Sequence, residues 1–271
     1  MIIKNISNTS SYSKEQKDFL KEYYREYYLI NFSRVFLLLF LLGLWQISSS
    51  LGWVDSFFFS SPLKIINLFW EMTREFTIWK HIGVTLLETL VSFLGVTLIS
   101  AFTAMGLYLS PPLAKILEPS LVVLNSLPKS ALAPLIIVWL GSGIKTIIIA
   151  GISVALFGSI ISLYTGFLQT DPGKIKLITT LGGSKKDVLF KLILPSCTPL
   201  ILSNMKVNIG LSLVGVIIGE FLAARQGLGY LIIYSSQVFQ LDLLIMSIVI
   251  LCLIASLLYK TIQYFEKKYY G

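Results

Sequence analysis

The chain has 271 residues, of which 55% are hydrophobic and only 13% charged, with a formal net charge of +8. Soluble domains average about 25% charged residues, so a soluble globular enzyme is excluded, and the mean hydropathy of +0.78 points to a polytopic membrane protein. The excess of Lys and Arg, which would suggest nucleic acid in a soluble chain, here marks the cytoplasmic side of a membrane.

Residues 1–31 are polar and basic. Phe19, Leu20, Tyr23, Tyr24, Tyr27 and Tyr28 recur at helical spacing, with Lys14, Lys17, Lys21 and Arg25 between them. Two readings stand side by side: an amphipathic helix lying on the cytoplasmic leaflet, or a solvated leader to the first span. No cleavable signal is indicated, because the first apolar run begins only near Arg34 and lacks a small-residue cleavage site.

A spanning helix needs about 20 apolar residues. Six runs qualify: Phe32–Leu51, Thr85–Leu109, Leu113–Leu140, Ile144–Thr165, Leu200–Ala223 and Leu241–Phe265. An even number places both termini on one side. The N-terminal Lys4, Lys14, Lys17, Lys21, Arg25 and Arg34 and the C-terminal Lys260, Lys267 and Lys268 make that side cytoplasmic. Between the first and second runs, Ile65, Ile66, Phe69, Trp70, Met72 and Phe76 follow Ser61-Pro62 at roughly helical spacing, which predicts an interfacial helix on the outer face.

The third run holds Pro119, Pro128 and Pro134. A proline inside a helix removes one backbone hydrogen bond and crowds the preceding turn. In lipid the freed carbonyl must be satisfied by protein or by a water-filled cavity. A doubly interrupted helix near a pathway is therefore expected. Lys129, next to the central proline, reads either as a snorkelling side chain or as a cation lining that pathway.

The segment from Asp171 to Pro199 carries Lys174, Lys176, Lys185, Lys186, Asp187 and Lys191. Each charge at a bilayer centre costs about 2.5–3.5 kcal/mol, so the segment cannot span and joins the fourth and fifth runs in water. Asp171 can cap a helix with Pro172 at its first position. Gly182-Gly183 then ends or bends that helix. Ser184 and Asp187 form a capping-box-like start to a second helix, with Val188, Leu189, Leu192 and Ile193 as its apolar stripe and Pro195 as its stop.

Catalytic chemistry finds little support. His81 is the only histidine, at the edge of an apolar run, and reads as structural or interfacial. Cys197 and Cys252 show neither a disulfide framework nor metal spacing. No Gly-rich Lys-Ser/Thr phosphate loop is present. An intramembrane enzyme would need a nucleophile–base pair or a metal cluster.

The spacing of Gly182, nine residues, Leu192, one residue and Leu194-Pro195 resembles the signature loop of ABC importer permeases. The Glu-Ala-Ala triplet of that loop would fall on Lys176-Leu177-Ile178 and is absent. Leu127 to Leu135 (LPKSALAPL), followed by Trp139-Leu140-Gly141-Ser142-Gly143, looks like the third-span signature of the nitrate/sulfonate/taurine-type permeases. Leu194-Pro195 through Pro199, and Gly219-Glu220-Phe221 to Gly227-Leu228-Gly229-Tyr230, also fit that family. The resemblance runs from about Ser61 to Phe239.

The resemblance implies an all-α fold with six transmembrane helices: a type I ABC importer, MetI-like transmembrane domain over residues 32–271. The coupling helix region is 171–199, preceded by the cytoplasmic amphipathic segment 1–31. It implies that Thr180, Leu181, Gly182, Gly183, Ser184, Lys185, Asp187, Leu192 and Pro195 couple to an ATPase, and that Pro128, Lys129, Pro134 and Glu220 line the translocation pathway. No cofactor is expected in this chain. ATP and Mg would be bound by two cytoplasmic ABC ATPase subunits. A second permease copy in a homodimer, an extracytoplasmic substrate-binding protein and the lipid bilayer complete the expected partners, with no nucleic acid. The location is the bacterial inner (cytoplasmic) membrane, multi-pass, with both termini cytoplasmic. The solute would be small and polar or anionic, such as a sulfonate, nitrate, taurine or a pyrimidine. Glu220 and Lys129 are expected in the outer half, either paired with each other or with Glu220 paired to Arg225. Glu88 sits where related permeases often carry a basic residue and reads as interfacial. The alternative is a secondary transporter with a proline-broken midplane helix, and a membrane scaffold is a further one.

Overall fold

The computed structural model describes residues 13–270, and all their regular structure is helical. The first twelve residues of the predicted amphipathic segment, Lys4 among them, lie outside the described residues. The chain divides into two compact units, residues 1–66 and 67–271.

In the first unit, α1 (Lys14–Ser50) is a single helix of 37 residues. The expected boundary between a leaflet-bound segment and a span at 31/32 is not a structural one. Backbone hydrogen bonding is indifferent to the change from polar to apolar side chains, and no Gly or Pro interrupts residues 14–42. Phe32, Phe36 and Phe40 stack along one face at i, i+4 spacing. A short helix α2 (Ser56–Phe59) follows, capped by Asp55. Trp45 Nε1 donates to the Phe59 carbonyl at 3.2 Å and ties the turn back to α1. The predicted helix after Ser61 is present as α3 (Pro62–Arg74).

The second unit is a bundle around three long helices: α4 (Thr77–Leu109), α7 (Ile144–Leu168) and α11 (Thr198–Ala223). In lipid the helices gain nothing from hiding apolar surface from water, so close approach and interhelical hydrogen bonds hold them. α7 and α11 cross where a Cβ on Gly215 would lie 2.8 Å from the Gly151 Cα. Deeper in the bundle, Ser159 Oγ accepts from Asn204 Nδ2 (2.7 Å) and Asn208 Nδ2 (3.0 Å) and donates to Ser100 Oγ (2.8 Å). That cluster joins all three helices.

Between α4 and α7 lie α5 (Pro111–Ser126) and α6 (Lys129–Leu140), bent 99° from one another. Two of the three prolines behave differently from expectation. Pro119 and Pro134 sit inside helices, and only Pro128 breaks the chain, with Leu127 before it extended at φ −62°, ψ 139°. The bent pair nevertheless traverses the bundle. Ala114 at its start packs with Leu107 and Ile160, near the ends of α4 and α7. Ile137 near its end packs with Ile147 at the beginning of α7. Taken together, the two helices are long and apolar enough for one broken span. With it, the described residues hold six segments long and apolar enough to cross a membrane: Glu22–Ser50 of α1, α4, the α5–α6 pair, α7, α11 and Leu241–Lys268 of α13 (Leu241–Tyr270).

Candidate functional site

After α7 the chain leaves the bundle as α8 (Pro172–Thr180). The Asp171 carboxylate accepts from the Gly173 N–H at 2.8 Å, with Pro172 at the first position. The helix ends in a Schellman motif: Gly183 N–H donates to the Ile178 carbonyl (2.9 Å) and Gly182 N–H to that of Thr179 (3.1 Å). Gly182 supplies the left-handed residue at φ 83°. Ser184 then caps α9 (Lys185–Val188) with a reciprocal box, Asp187 N–H to Ser184 Oγ and Ser184 N–H to Asp187 Oδ2. Lys191 closes on Asp187 at 2.7 Å. The hydrogen bond from Lys191, then those from Ser184, hold the Asp187 carboxyl well below the usual carboxylate range.

One face of this segment is anchored and the other is free. Val188, Leu189 and Ile193 are buried against Ala104, Leu163 and Phe167 toward the ends of α4 and α7 and against Cys197 at the start of α11. Lys185, Lys186 and Lys191 face outward. At the tip of the turn, Leu181 is 78% exposed. The segment is thus a capped helix–turn–helix tied to the bundle by one stripe, with an apolar knob at its apex.

Pro195 does not stop the second helix, contrary to expectation. Residues Leu189–Ile193 widen into a π turn, with the Leu194 N–H donating five residues back to the Leu189 carbonyl. The wider turn relieves the clash a proline makes with the turn before it. The chain continues through α10 (Leu194–Ser196) into α11.

The opposite end of the bundle is organised around Glu220. This residue is fully buried. Its Oε1 accepts from the Thr85 hydroxyl at 2.7 Å and its Oε2 from the Gly229 N–H at 2.5 Å. Leu228 N–H in turn donates to Thr85 Oγ1 (2.8 Å), and Gly227 N–H to His81 Nδ1 (3.0 Å). Glu220 therefore sits at the positive end of α12 (Leu228–Gln237), where a carboxylate is favoured. Gly227 is required twice: its φ is 117°, and a Cβ there would run into the Glu220 carboxyl. His81 is structural, as expected, and also stacks on Tyr230.

Two pairings expected from sequence are absent. Glu220 and Lys129 do not meet: Lys129 Nζ reaches Asn125 Oδ1 at 3.4 Å, and Asn125 abuts α7 at Gly158. Glu220 lies beside Gly219, which abuts α7 at Ile147 and Ala150. Eight residues of α7 separate Ala150 from Gly158, about 12 Å at 1.5 Å per residue. Glu220 also makes no ion pair with Arg225 among the described residues. Glu88, read as interfacial, is fully buried beside Glu220. Of the pathway candidates, Pro128 and Lys129 share the break between α5 and α6, Pro134 lies exposed on α6, and Glu220 stands apart from them.

Comparison with known proteins places this architecture. Residues 95–269 match the family described as binding-protein-dependent transport system inner membrane component. The chain belongs to that family. It is the permease subunit of an ABC importer, a membrane-spanning transport component and not an enzyme. The permease is 30% identical over 224 residues to a probable ABC transporter permease protein of Haemophilus influenzae, covering 83% of this chain and 91% of that one. It is 26% identical to the putative aliphatic sulfonates transport permease SsuC of Escherichia coli (89% and 91% covered). It is 25% identical to the taurine transport permease TauC of the same organism (80% and 81%). A chain of the inward-facing MetNI methionine ABC transporter superposes with TM-score 0.63 at 17% identity, covering 71% of the permease and 96% of that chain. That match establishes the MetI-like fold.

Proposed function

We propose that the permease forms the pathway of an importer for a small sulfonate-like or related polar organic solute. In this reading it works as a homodimer with two cytoplasmic ATPase subunits that bind ATP and Mg, and with an extracytoplasmic binding protein. Both termini are cytoplasmic, since six crossings return the chain to the side of its basic ends. The solute class is suggested by relatives named for aliphatic sulfonates, taurine and formylaminopyrimidine.

One observation carries the coupling half of this reading. The segment 171–199 is capped at both helices, anchored by Val188, Leu189 and Ile193, and presents Leu181 at its tip. Thr180 to Asp187 dock in a groove of the ATPase, and Leu192 and Pro195 join the lever to α11. ATP shifts the equilibrium through its preference for the closed ATPase dimer. The lever passes that shift to the ends of α4 and α7, and the break at Pro128–Lys129 gives the pathway a flexible wall. Co-purification of the ATPase with permease carrying Leu181→Asp tests the reading. Loss of the ATPase with unchanged permease folding is expected, and undiminished co-purification with coupled uptake would overturn it.

A further inference from the structure

Between α11 and α13 lies a groove of about 380 Å³, lined by Lys206, Gly210, Leu213, Ala255, Tyr259 and Lys260, among others. Its volume falls within the roughly 300–1,000 Å³ of ligand pockets. The two helices are pinned at one end, where Lys206 Nζ meets the Glu266 carboxylate at 2.8 Å. Ile209 packs with Ile262 and Leu258 beside that pair.

The groove opens at Gly210. Two later glycines of the same helix, Gly215 and Gly219, bring α7 close: a Cβ on each would lie 2.8 Å and 3.1 Å from a Cα of α7. A Cβ on Gly210 would meet nothing within 4 Å, and the residue is exposed. Glycine weakens a helix relative to alanine, and at Gly210 no neighbouring helix takes up the space it leaves.

The two ends of the groove differ in polarity and in depth. Nineteen residues separate Leu241, where α13 begins, from Lys260, about 29 Å at 1.5 Å per residue. The hydrocarbon core of a bilayer is about 30 Å thick. Lys260 and Tyr259 therefore stand at headgroup depth, on the side of the coupling segment, as interfacial Lys and Tyr side chains do. Leu213 and Ala255 lie deeper and are apolar. The charge of Lys206 is met by Glu266. That of Lys260 is not: it is exposed and in no ion pair among the described residues. Lys267, two turns further along the same face, is exposed as well. The polar end thus carries an excess of positive charge.

We propose that this groove binds an anionic phospholipid of the leaflet on the side of the coupling segment, with its phosphate at Lys260 and Tyr259 and an acyl chain running over Gly210 toward Leu213 and Ala255. Basic pockets between membrane helices hold anionic headgroups in this way. Free phosphate would leave the apolar half unfilled. Phosphatidylcholine would bring a second cation to an end that already has one in excess. The bound lipid bears on α11, the helix that joins the coupling segment to Glu220.

The test uses the full-length permease in phosphatidylcholine nanodiscs that carry a trace of photoactivatable lipid, with a diazirine in the acyl chain of either phosphatidylglycerol or phosphatidylcholine. Labelled positions are mapped by mass spectrometry. Phosphatidylglycerol should label the groove peptides of α11 and α13 about fivefold more than phosphatidylcholine, the worth of one lysine near the surface. Lys260→Gln should make the two lipids equal there. Gly210→Trp should remove groove labelling by both while the rest of the bundle stays labelled. If Gly210→Trp fails to fold, the surface change Lys260→Gln decides alone. Inorganic phosphate at matched ionic strength should leave the labelling unchanged, and displacement by it would give the polar end to a free anion and overturn the lipid. Equal labelling of the unaltered groove by both lipids overturns the proposal, as does a preference that survives in Lys260→Gln. An unlabelled groove overturns it too. In that case a disulfide between copies through Ser256→Cys, made with Cys252→Ser, would show a second permease seated there.

Discussion

Thr85 and Glu220, 135 positions apart, share a hydrogen bond of 2.7 Å inside the bundle, and the Thr85 oxygen also accepts the Leu228 N–H at 2.8 Å. One hydroxyl thus fixes α4 to α11 and to the start of α12. Glu220→Ala leaves the Thr85 hydroxyl and the Gly229 N–H without an acceptor, each worth about 1–3 kcal/mol when buried. A lowered unfolding midpoint is expected in detergent, with Glu220→Gln retaining most of the stability. In a double-mutant cycle with Thr85→Val the two losses should fall short of additivity. Full additivity would show that the two residues act independently.

Gly227 tests the same clasp from the other side. An alanine there must adopt φ 117° and displace the Glu220 carboxyl. Gly227→Ala should therefore destabilise by more than the roughly 1–3 kcal/mol of that glycine-only backbone conformation alone. The second loss should vanish in a Glu220→Ala background, where no carboxyl stands in the way. A Gly227→Ala penalty of equal size in both backgrounds would argue against the contact.

The parts of this permease that were legible in its sequence are local ones. Asp171-Pro172, Gly182-Gly183 and Ser184…Asp187 each define a cap or turn within four residues, so helix, turn and helix could be read directly. The spans follow from apolar length. The clasp was not legible, because Thr85 and Glu220 carry no mutual signal across 135 positions. Glu88 resembled an interfacial residue because it lies near the start of an apolar run, yet α4 begins at Thr77, about three turns before Glu88. Pro195 looked like a stop because a π turn leaves no mark in composition. Lys129 and Glu220 seemed able to meet because topology gives depth only coarsely.

The Ser100–Ser159–Asn204–Asn208 cluster should hold α4, α7 and α11 together. Ser159→Ala removes the shared acceptor of both amides and the donor to Ser100. Interhelical hydrogen bonds in membranes are worth about 0.6 kcal/mol on average and at most about 1.7, so a loss of about 1–3 kcal/mol is expected in an SDS unfolding titration. Ser159→Thr keeps the oxygen and should recover part of the loss. No change in Ser159→Ala would mean that the amides find other acceptors.

Asp187 gives a pH expectation with a definite sign. Lys191 and Ser184 depress its folded pKa below the unfolded value of about 3.9. The stabilisation is therefore present above that unfolded value and is lost as pH falls through the folded one. Amide exchange at Val188 should differ between the parent and Asp187→Asn by a constant factor from about pH 5 to about pH 8, narrowing only below about pH 4. A difference that changes near neutrality would assign the pH response to another group.

The two glycines of the coupling turn should respond differently to alanine. Gly182 needs its positive φ but has open space around it, so Gly182→Ala costs only the left-handed conformation, about 1–2 kcal/mol. Gly183 has an ordinary φ but no room: its Cβ would lie 2.5 Å from Ile178 Cγ2 and 2.9 Å from the Ile178 carbonyl oxygen. That carbonyl is the acceptor that closes the Schellman motif, so Gly183→Ala must open the turn itself and swing Leu181 from its place. Both variants should keep the bundle folded, since Val188, Leu189 and Ile193 anchor the segment independently of the turn. Solute-stimulated ATP hydrolysis in proteoliposomes separates them: a loss of about tenfold or more is expected for Gly183→Ala, and a smaller one for Gly182→Ala. The reverse order would mean that backbone conformation at Gly182, rather than the position of the apex, carries the force.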